Sequence, residues 1–461
     1  MSNRVLSRDC FHQSNVGIRS PQSPPSQITT MTRQLMTVEG PRPPDSEEID
    51  WFLPHERVLH RLGERMLSVG SVPGVAPEPD CGPITPEQHH ILRVAPWSMH
   101  GENLMFEKED EVFRELESLS KSVTGHGIVL DTTTSEEGRS ADQLRRLSKR
   151  LPQVDIVAAT SFQPSEIRSL SADLSFEQKA ERIAKFLETE LLFGITDSSE
   201  EVRAGVIYQQ VDAALAMTTE DDLLARGLAL AQANTRAPIF LSFSYASTND
   251  AILGWVSRLE AHGASMECVV VCHADRWCDS DSGEVLLREL GHRRMLVSFD
   301  WIGLYTISDV ALVNPCHSIG HVEPPNDRAI ARCILKLVHQ HNMEHQIMIS
   351  SGVTQRLQFQ RYGGGGFSHA LLHFRRRLMT QEQPGLSPSQ WRIITRETPM
   401  RLLAWYTPPE AAPIPKHFLL CSICATPFEP IVGEYFTKFS FIYCGTKCLR
   451  KHSKMGFKPL A

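Results

Sequence analysis

Four cysteines near the C-terminus fall into two short-spaced pairs, Cys421-Ser-Ile-Cys424 and Cys444-Gly-Thr-Lys-Cys448, with residues 425–443 between them. A Cys-X2-Cys step lets two thiolates converge in a tight turn, and cysteines four apart on a helix share one face. Together they predict a closed tetrahedral zinc site, structural in kind, because four thiolates leave no open coordination position for chemistry. His452, four residues beyond Cys448, could replace it as fourth ligand or support the site from outside. The apolar core available to so short a segment is small, so the metal is expected to supply much of its folding energy. Zn2+ is the one cofactor expected.

Around this segment the composition is that of an ordinary folded protein. The chain has 461 residues, 41% hydrophobic and 22% charged, with a net charge of -7. That charge argues against a nucleic-acid surface over the whole protein. From Lys416 onward the balance reverses, to seven Lys and Arg against two Glu. No apolar run reaches membrane-spanning length and no secretory leader is evident, so an intracellular setting is expected, cytoplasmic or nuclear, without a membrane partner. Eleven scattered cysteines do not form a disulfide framework.

The elements that must position these groups show as a repeated alternation. Apolar runs rich in Val, Ile and Leu occur at 51–55, 127–133, 154–162, 203–209, 238–244, 267–275, 294–300 and 346–353. Helix-like stretches such as 109–120, 176–192, 220–233 and 329–341 lie between them. Unbroken apolar runs suit parallel strands buried on both faces. Eight of them separated by helices predict an α/β fold, a (β/α)8 TIM barrel, with a small zinc-binding lobe behind it. The Gly-Gly-Gly-Gly run at 363–366 lacks a following Lys-Ser/Thr and is read as a loop. The expected domains are a disordered tail at 1–35, the barrel at 36–406, a Pro-rich linker at 407–416 and the zinc module at 417–461.

Several short motifs occur in order along the barrel: Met36-Thr-Val-Glu-Gly40 with Trp51-Phe-Leu-Pro-His55-Glu-Arg57, Ile128-Val-Leu-Asp131 with Gly138-Arg139, and Asp155-Ile-Val-Ala-Ala-Thr160. They continue with Arg203-Ala-Gly-Val-Ile207, Val271-Cys-His273-Ala-Asp275, Arg361-Tyr-Gly-Gly-Gly-Gly-Phe-Ser368-His369 and Glu397-Thr-Pro399. In order and spacing, residues 36–406 resemble the phosphotriesterase-related family of the amidohydrolase superfamily. Residues 418–457 resemble the treble-clef-like TRASH and MYM-type fingers, in which a Cys-X2-Cys pair precedes a Tyr/Phe-Cys-X3-Cys turn, which implies a treble-clef-like lobe.

The first resemblance implies a metal-dependent hydrolase whose ions are held by a His-X-His pair, a carboxylate or carbamylated lysine, two further histidines and an aspartate. Carried over, the first-strand pair falls on His55 and Arg57, and the fourth-strand anion on Tyr208 or Gln209. The fifth-strand histidine falls on Ser242, the sixth-strand histidine on His273 and the eighth-strand aspartate on Gly352. Two ligands of six remain, where a catalytic zinc needs about three plus an open position. Arg57 cannot lose its proton and would repel a divalent ion, so it is expected to turn to an acid such as Asp275, Asp131 or Asp300. Cys272 and His273, as neighbours on a strand, are expected to point to opposite faces and not to cooperate. No catalytic residue is therefore expected: the barrel reads as a pseudoenzyme, a scaffold for an unidentified protein partner. The alternative is a divergent metal-dependent hydrolase acting on ester, amide or phosphoester bonds. A second alternative is a nucleic-acid-associated factor acting through the basic zinc module.

Overall fold

The computed structural model describes residues 33–44, 48–62, 83–94, 101–304, 325–407, 419–423, 427–428, 435–439, 441–454 and 456–457. Eight parallel strands form one sheet: β1 (Ile49–Glu56), β2 (His126–Asp131), β3 (Val154–Thr160), β4 (Ala204–Val211), β5 (Ile239–Phe243), β6 (Val269–Val271), β7 (Leu296–Phe299) and β8 (Ile347–Ile349). Each pairs in parallel register with its neighbour in sequence, from β1 through to β8. Helices cover the outside: α1 (Glu109–Ser122), α2 (Ala141–Arg150), α3 (Phe176–Leu192), α4 (Thr219–Thr235), α5 (Asn249–Ala261), α6 (Asp281–His292) and α7 (Asp327–His341). One helix follows each of the first seven strands, which is the (β/α)8 order.

Helix α3 illustrates how local sequence builds the wrapping. Ser175 accepts from Gln178 N at 3.3 Å while Gln178 Oε1 accepts from Ser175 N at 2.9 Å, a reciprocal cap that fixes the first turn. Ala180, Ile183, Ala184, Leu187 and Leu191 then fall on one buried face. Each Leu or Ile on that face contributes roughly 1.5–3 kcal/mol by leaving water. Leu187→Ala would cost about 2–5 kcal/mol.

Side chains of alternate strand positions fill the lumen, among them Phe52, Ile128, Val206, Phe240, Val270 and Met348. The N-terminal end of the lumen is floored by a small antiparallel sheet of Gln34–Thr37, Gly40–Arg42 and Ala404–Tyr406. Leu35, fully buried there, belongs to the barrel and not to the tail expected at 1–35, because it packs with Leu402 and Leu403 into the lumen core. Residues 1–32 of that tail and 408–416 of the linker lie outside the described residues.

Between β1 and β8 the ring is joined by side chains. Glu56 Oε1 accepts from Ser350 Oγ at 2.8 Å, Ser351 N at 2.8 Å and Gly352 N at 3.1 Å, and its Oε2 accepts from Val353 N at 2.7 Å. His55 N donates to Ser350 Oγ at 3.1 Å.

The C-terminal lobe has two two-stranded hairpins, Leu419–Leu420 with Pro427–Phe428 and Phe436–Lys438 with Phe441–Tyr443, followed by helix α8 (Thr446–Lys454). Ser422 N donates to Ile442 O at 2.7 Å, tying the first hairpin's turn to the second. Among the described residues no helix is long and apolar enough to cross a membrane.

Candidate functional site

At the C-terminal ends of the strands, where barrel enzymes carry their chemistry, buried polar side chains converge. His55 is the penultimate residue of β1, and its ring lies 4.9 Å from that of His273 and 5.6 Å from that of Tyr208, centre to centre. Among the described residues neither ring nitrogen of His55 has a hydrogen-bond partner. Burial, reinforced by His273 and Arg57 and only partly opposed by Asp300, lowers the His55 pKa to about 3, so its imidazole is neutral.

His273 follows β6 in a left-handed conformation, φ 57°, which turns its ring back over the mouth. Its Nδ1 lies 2.6 Å from Asp300 Oδ1, and its backbone N donates to Asp300 Oδ2 at 3.2 Å. Burial alone would raise the Asp300 pKa, but the His273 and His55 imidazoles overcome it and hold the carboxyl down at about 2. An ionised carboxylate only accepts, so His273 carries its proton on Nδ1 and presents Nε2 as the open nitrogen. Asp300 N in turn donates to Asp275 Oδ2 at 2.8 Å. Burial and then the Asp300 charge push the Asp275 carboxyl well above the usual range.

Arg57 points inward and is buried, but it does not pair with Asp275, Asp131 or Asp300. Its Nη2 donates to Glu137 Oε1 at 2.9 Å, and Gln210 Nε2 donates to the same oxygen at 2.8 Å. Asp131 is already engaged as an acceptor from Val58 N and the Thr133 hydroxyl. The Arg57 charge is thereby matched on the β2 side of the mouth, which weakens the repulsion expected toward a cation.

The other positions divide. Tyr208 and Ser242 are fully buried, their hydroxyls face each other, and neither closes a well-formed hydrogen bond. Burial keeps the Tyr208 phenol protonated. Gln209 leaves the site: its amide bonds to Phe162 N and O at 3.2 and 3.1 Å, and Gln210 faces the mouth instead. Gly352 lies at the rim with φ 57°, where an added Cβ would run into the Asp300 carbonyl oxygen.

Cys272 is the residue that sequence reasoning set aside. Strand β6 stops at Val271, so the alternation rule does not extend to His273. The thiol's partner is also not its neighbour. One ligand atom each from His55, Cys272 and Asp300 lies within 4.8 Å of the other two. Among the described residues one other such group occurs, Cys421, Cys444 and Cys448 in the C-terminal lobe, with Cys444 Sγ 3.8 Å from Cys448 Sγ. Cys424 lies outside the described residues. His452 is not in that group: it is buried on α8 with its Nδ1 3.0 Å from Tyr443 Oη and its ring against Phe441. Among the described residues Cys448 thus groups with Cys421 and Cys444, while His452 turns its Nδ1 to Tyr443.

Two family models match the chain, one over the barrel and one over the C-terminal lobe. Residues 89–403 match the model of the Phosphotriesterase family, and residues 416–460 match the Vms1-associating treble clef domain. Among curated relatives, the N-acetyltaurine hydrolase of Danio rerio is 24% identical over 323 residues, 70% of this chain and 85% of that one. The N-acetyltaurine hydrolase of Salmo salar is 22% identical over 379 residues, 82% of this chain and 100% of that one. A resiniferatoxin-binding protein from Rhodobacter sphaeroides shares the fold, with TM-score 0.66 at 24% identity, covering 81% of this chain and 96% of that one.

The pseudoenzyme scaffold expected from ligand counting is overturned by these relatives, which carry the name of an enzyme. The count failed because it examined only inherited positions. It left out Cys272 and Asp300 as candidate donors, and it paired Arg57 with Asp275, Asp131 or Asp300 where Glu137 is the partner.

Proposed function

The chain belongs to the phosphotriesterase family, and on that premise we propose that its barrel mouth hydrolyses a small N-acyl amide, with N-acetyltaurine the first substrate to test. The observation that carries this reading is the buried His55–His273–Asp300 constellation at the ends of β1, β6 and β7. Relatives named for amide hydrolysis support it.

Asp300 orients His273 and stabilises the imidazolium that forms when Nε2 takes a proton from the attacking water. The same nitrogen then returns the proton to the departing amine. The hydroxyls of Tyr208 and Ser242 are neutral, buried donors not committed elsewhere, suited to the negative charge that develops on the carbonyl oxygen. The mouth also fits a metal of the kind this family uses, because both His55 nitrogens are buried without partners beside two other ligand atoms. Bound there, a divalent ion supplies a more acidic water and a polarised carbonyl.

In the C-terminal lobe we propose a structural zinc held by Cys421, Cys444 and Cys448, with Cys424 as the fourth ligand.

The test is incubation of the full-length chain with N-acetyltaurine, following taurine and acetate by NMR. Equimolar release, lost in His273→Gln, supports the reading. No release from the folded wild-type chain, with other N-acyl amines equally inert, removes it.

A further inference from the structure

We propose that the barrel mouth holds a single zinc-class ion through a cysteine thiolate, with Cys272 Sγ, His55 and Asp300 as its three protein ligands and water in the fourth position. This deepens the hydrolase reading and rests on it for its purpose, though not for its chemistry. The resemblance to the family placed ligands at Arg57, Ser242 and Gly352, where this chain offers none. The donors that the fold brings together come from β1, the turn after β6 and the end of β7.

Three observations carry the site. The ligand atoms lie within 4.8 Å of one another and are all buried. A tetrahedral ion with bonds of about 2.0–2.3 Å separates its ligands by about 3.3–3.8 Å, so side-chain shifts of about 1 Å close the shell. Among the described residues both nitrogens of His55 lack a hydrogen-bond partner, the condition of a ligand waiting for a cation. Asp300 is a fully buried carboxylate, and among the described residues no lysine or arginine pairs with it. Its carboxylate oxygens instead face the imidazoles of His273 and His55.

Charge balance favours a divalent ion. Binding releases one proton, from the Cys272 thiol to solvent, while His55 enters neutral and Asp300 ionised. Two positive charges then meet two negative ones in a shielded pocket. The sulfur donor favours zinc or cobalt over magnesium or calcium, which prefer all-oxygen shells. His273 stands outside the shell, holding Asp300 through Nδ1. One sulfur, one nitrogen and one oxygen leave the open position that catalysis needs and that the four-thiolate lobe lacks.

The test measures metal content and spectra of the full-length chain, separately from activity. Wild type is expected to carry two zinc per chain, and Cys272→Ser and His55→Gln one each, with the lobe's ion retained. In cobalt-loaded protein, the wild-type minus Cys272→Ser difference spectrum should show a thiolate-to-cobalt charge-transfer band. If Cys272→Ser fails to fold, X-ray absorption of the zinc-loaded Cys421→Ser variant decides, since its remaining zinc should show one sulfur among nitrogen and oxygen neighbours. An unchanged metal count with a flat difference spectrum overturns the proposal, and so does an all-sulfur shell as the wild type's one zinc environment. Hydrolysis of N-acetyltaurine that persists with no Cys272-dependent metal sinks the thiolate site alone. A Cys272-dependent ion without hydrolysis sinks the hydrolase reading alone.

Discussion

The barrel mouth and the C-terminal lobe both gather cysteine sulfur with other ligand atoms, under opposite conditions of enclosure. In the mouth, His55, Cys272 and Asp300 are buried, their donor types are mixed, and a full barrel core holds them in place. In the lobe, Cys444 and Cys448 are only half-buried and the described donors are all sulfur. The difference separates two uses of one side chain. On the zinc proposed for it, a small lobe with little core would draw its folding energy from the ion. A barrel folds without one and can keep a coordination position open.

Removing a ligand in each region should break this contrast most visibly. Cys421→Ser should cost the lobe its ion and its fold, since structural zinc contributes apparent energies of about 10–16 kcal/mol in isolated fingers. Limited proteolysis would then cut within 417–461, while the barrel's denaturation midpoint stays in place. Asp300→Asn in the mouth should act on turnover, lowering N-acetyltaurine hydrolysis by about 10³–10⁴-fold through loss of the oriented imidazole. Equal hydrolysis by this variant and wild type would erase the distinction between the two regions.

Arg57→Met tests how far the mouth depends on paired charge. It leaves Glu137 buried without its guanidinium and should destabilise the barrel by about 3–5 kcal/mol in chemical denaturation. Part of that loss should return in the Arg57→Met/Glu137→Gln double variant. Acid sharpens the comparison further. Burial lowers the His60 pKa from 6.5 to about 3. The unfolded chain therefore binds a proton that the folded chain refuses, and stability falls as pH drops from 6.5 toward 3. The contribution between pH 6.5 and 4 is on the order of 3 kcal/mol and should vanish in His60→Gln. Zinc added in excess should rescue the lobe from acid, where protons compete for thiolates, and leave the His60 loss untouched.

Much of the scaffold was legible because its signals are local. Residues 176–192 matched helix α3 end for end, since the Ser175–Gln178 cap and one apolar face agree. Strand parity was not legible in β4, whose eight positions are all buried, so no polar alternation tells Gln209 from Gln210. The run at 267–275 shortened to Val269–Val271 because the backbone turns left-handed at His273, which no residue type there announces. Glu137 was invisible as the partner of Arg57, because their pairing joins residues 80 apart in sequence. Cys272 and Asp300 were both noticed as residues. What the sequence withheld was that each faces His55 across the ring.

The join between β1 and β8 has a consequence for synthesis. Since Glu56 and Ser350 fasten it by side chains 294 residues apart, the ring is completed only after the last strand has emerged from the ribosome. Until then His55 sits on an early segment without Cys272 or Asp300 beside it. The nascent N-terminal half is accordingly expected to be metal-free, and acquisition of the ion proposed for the mouth would be a late checkpoint of maturation.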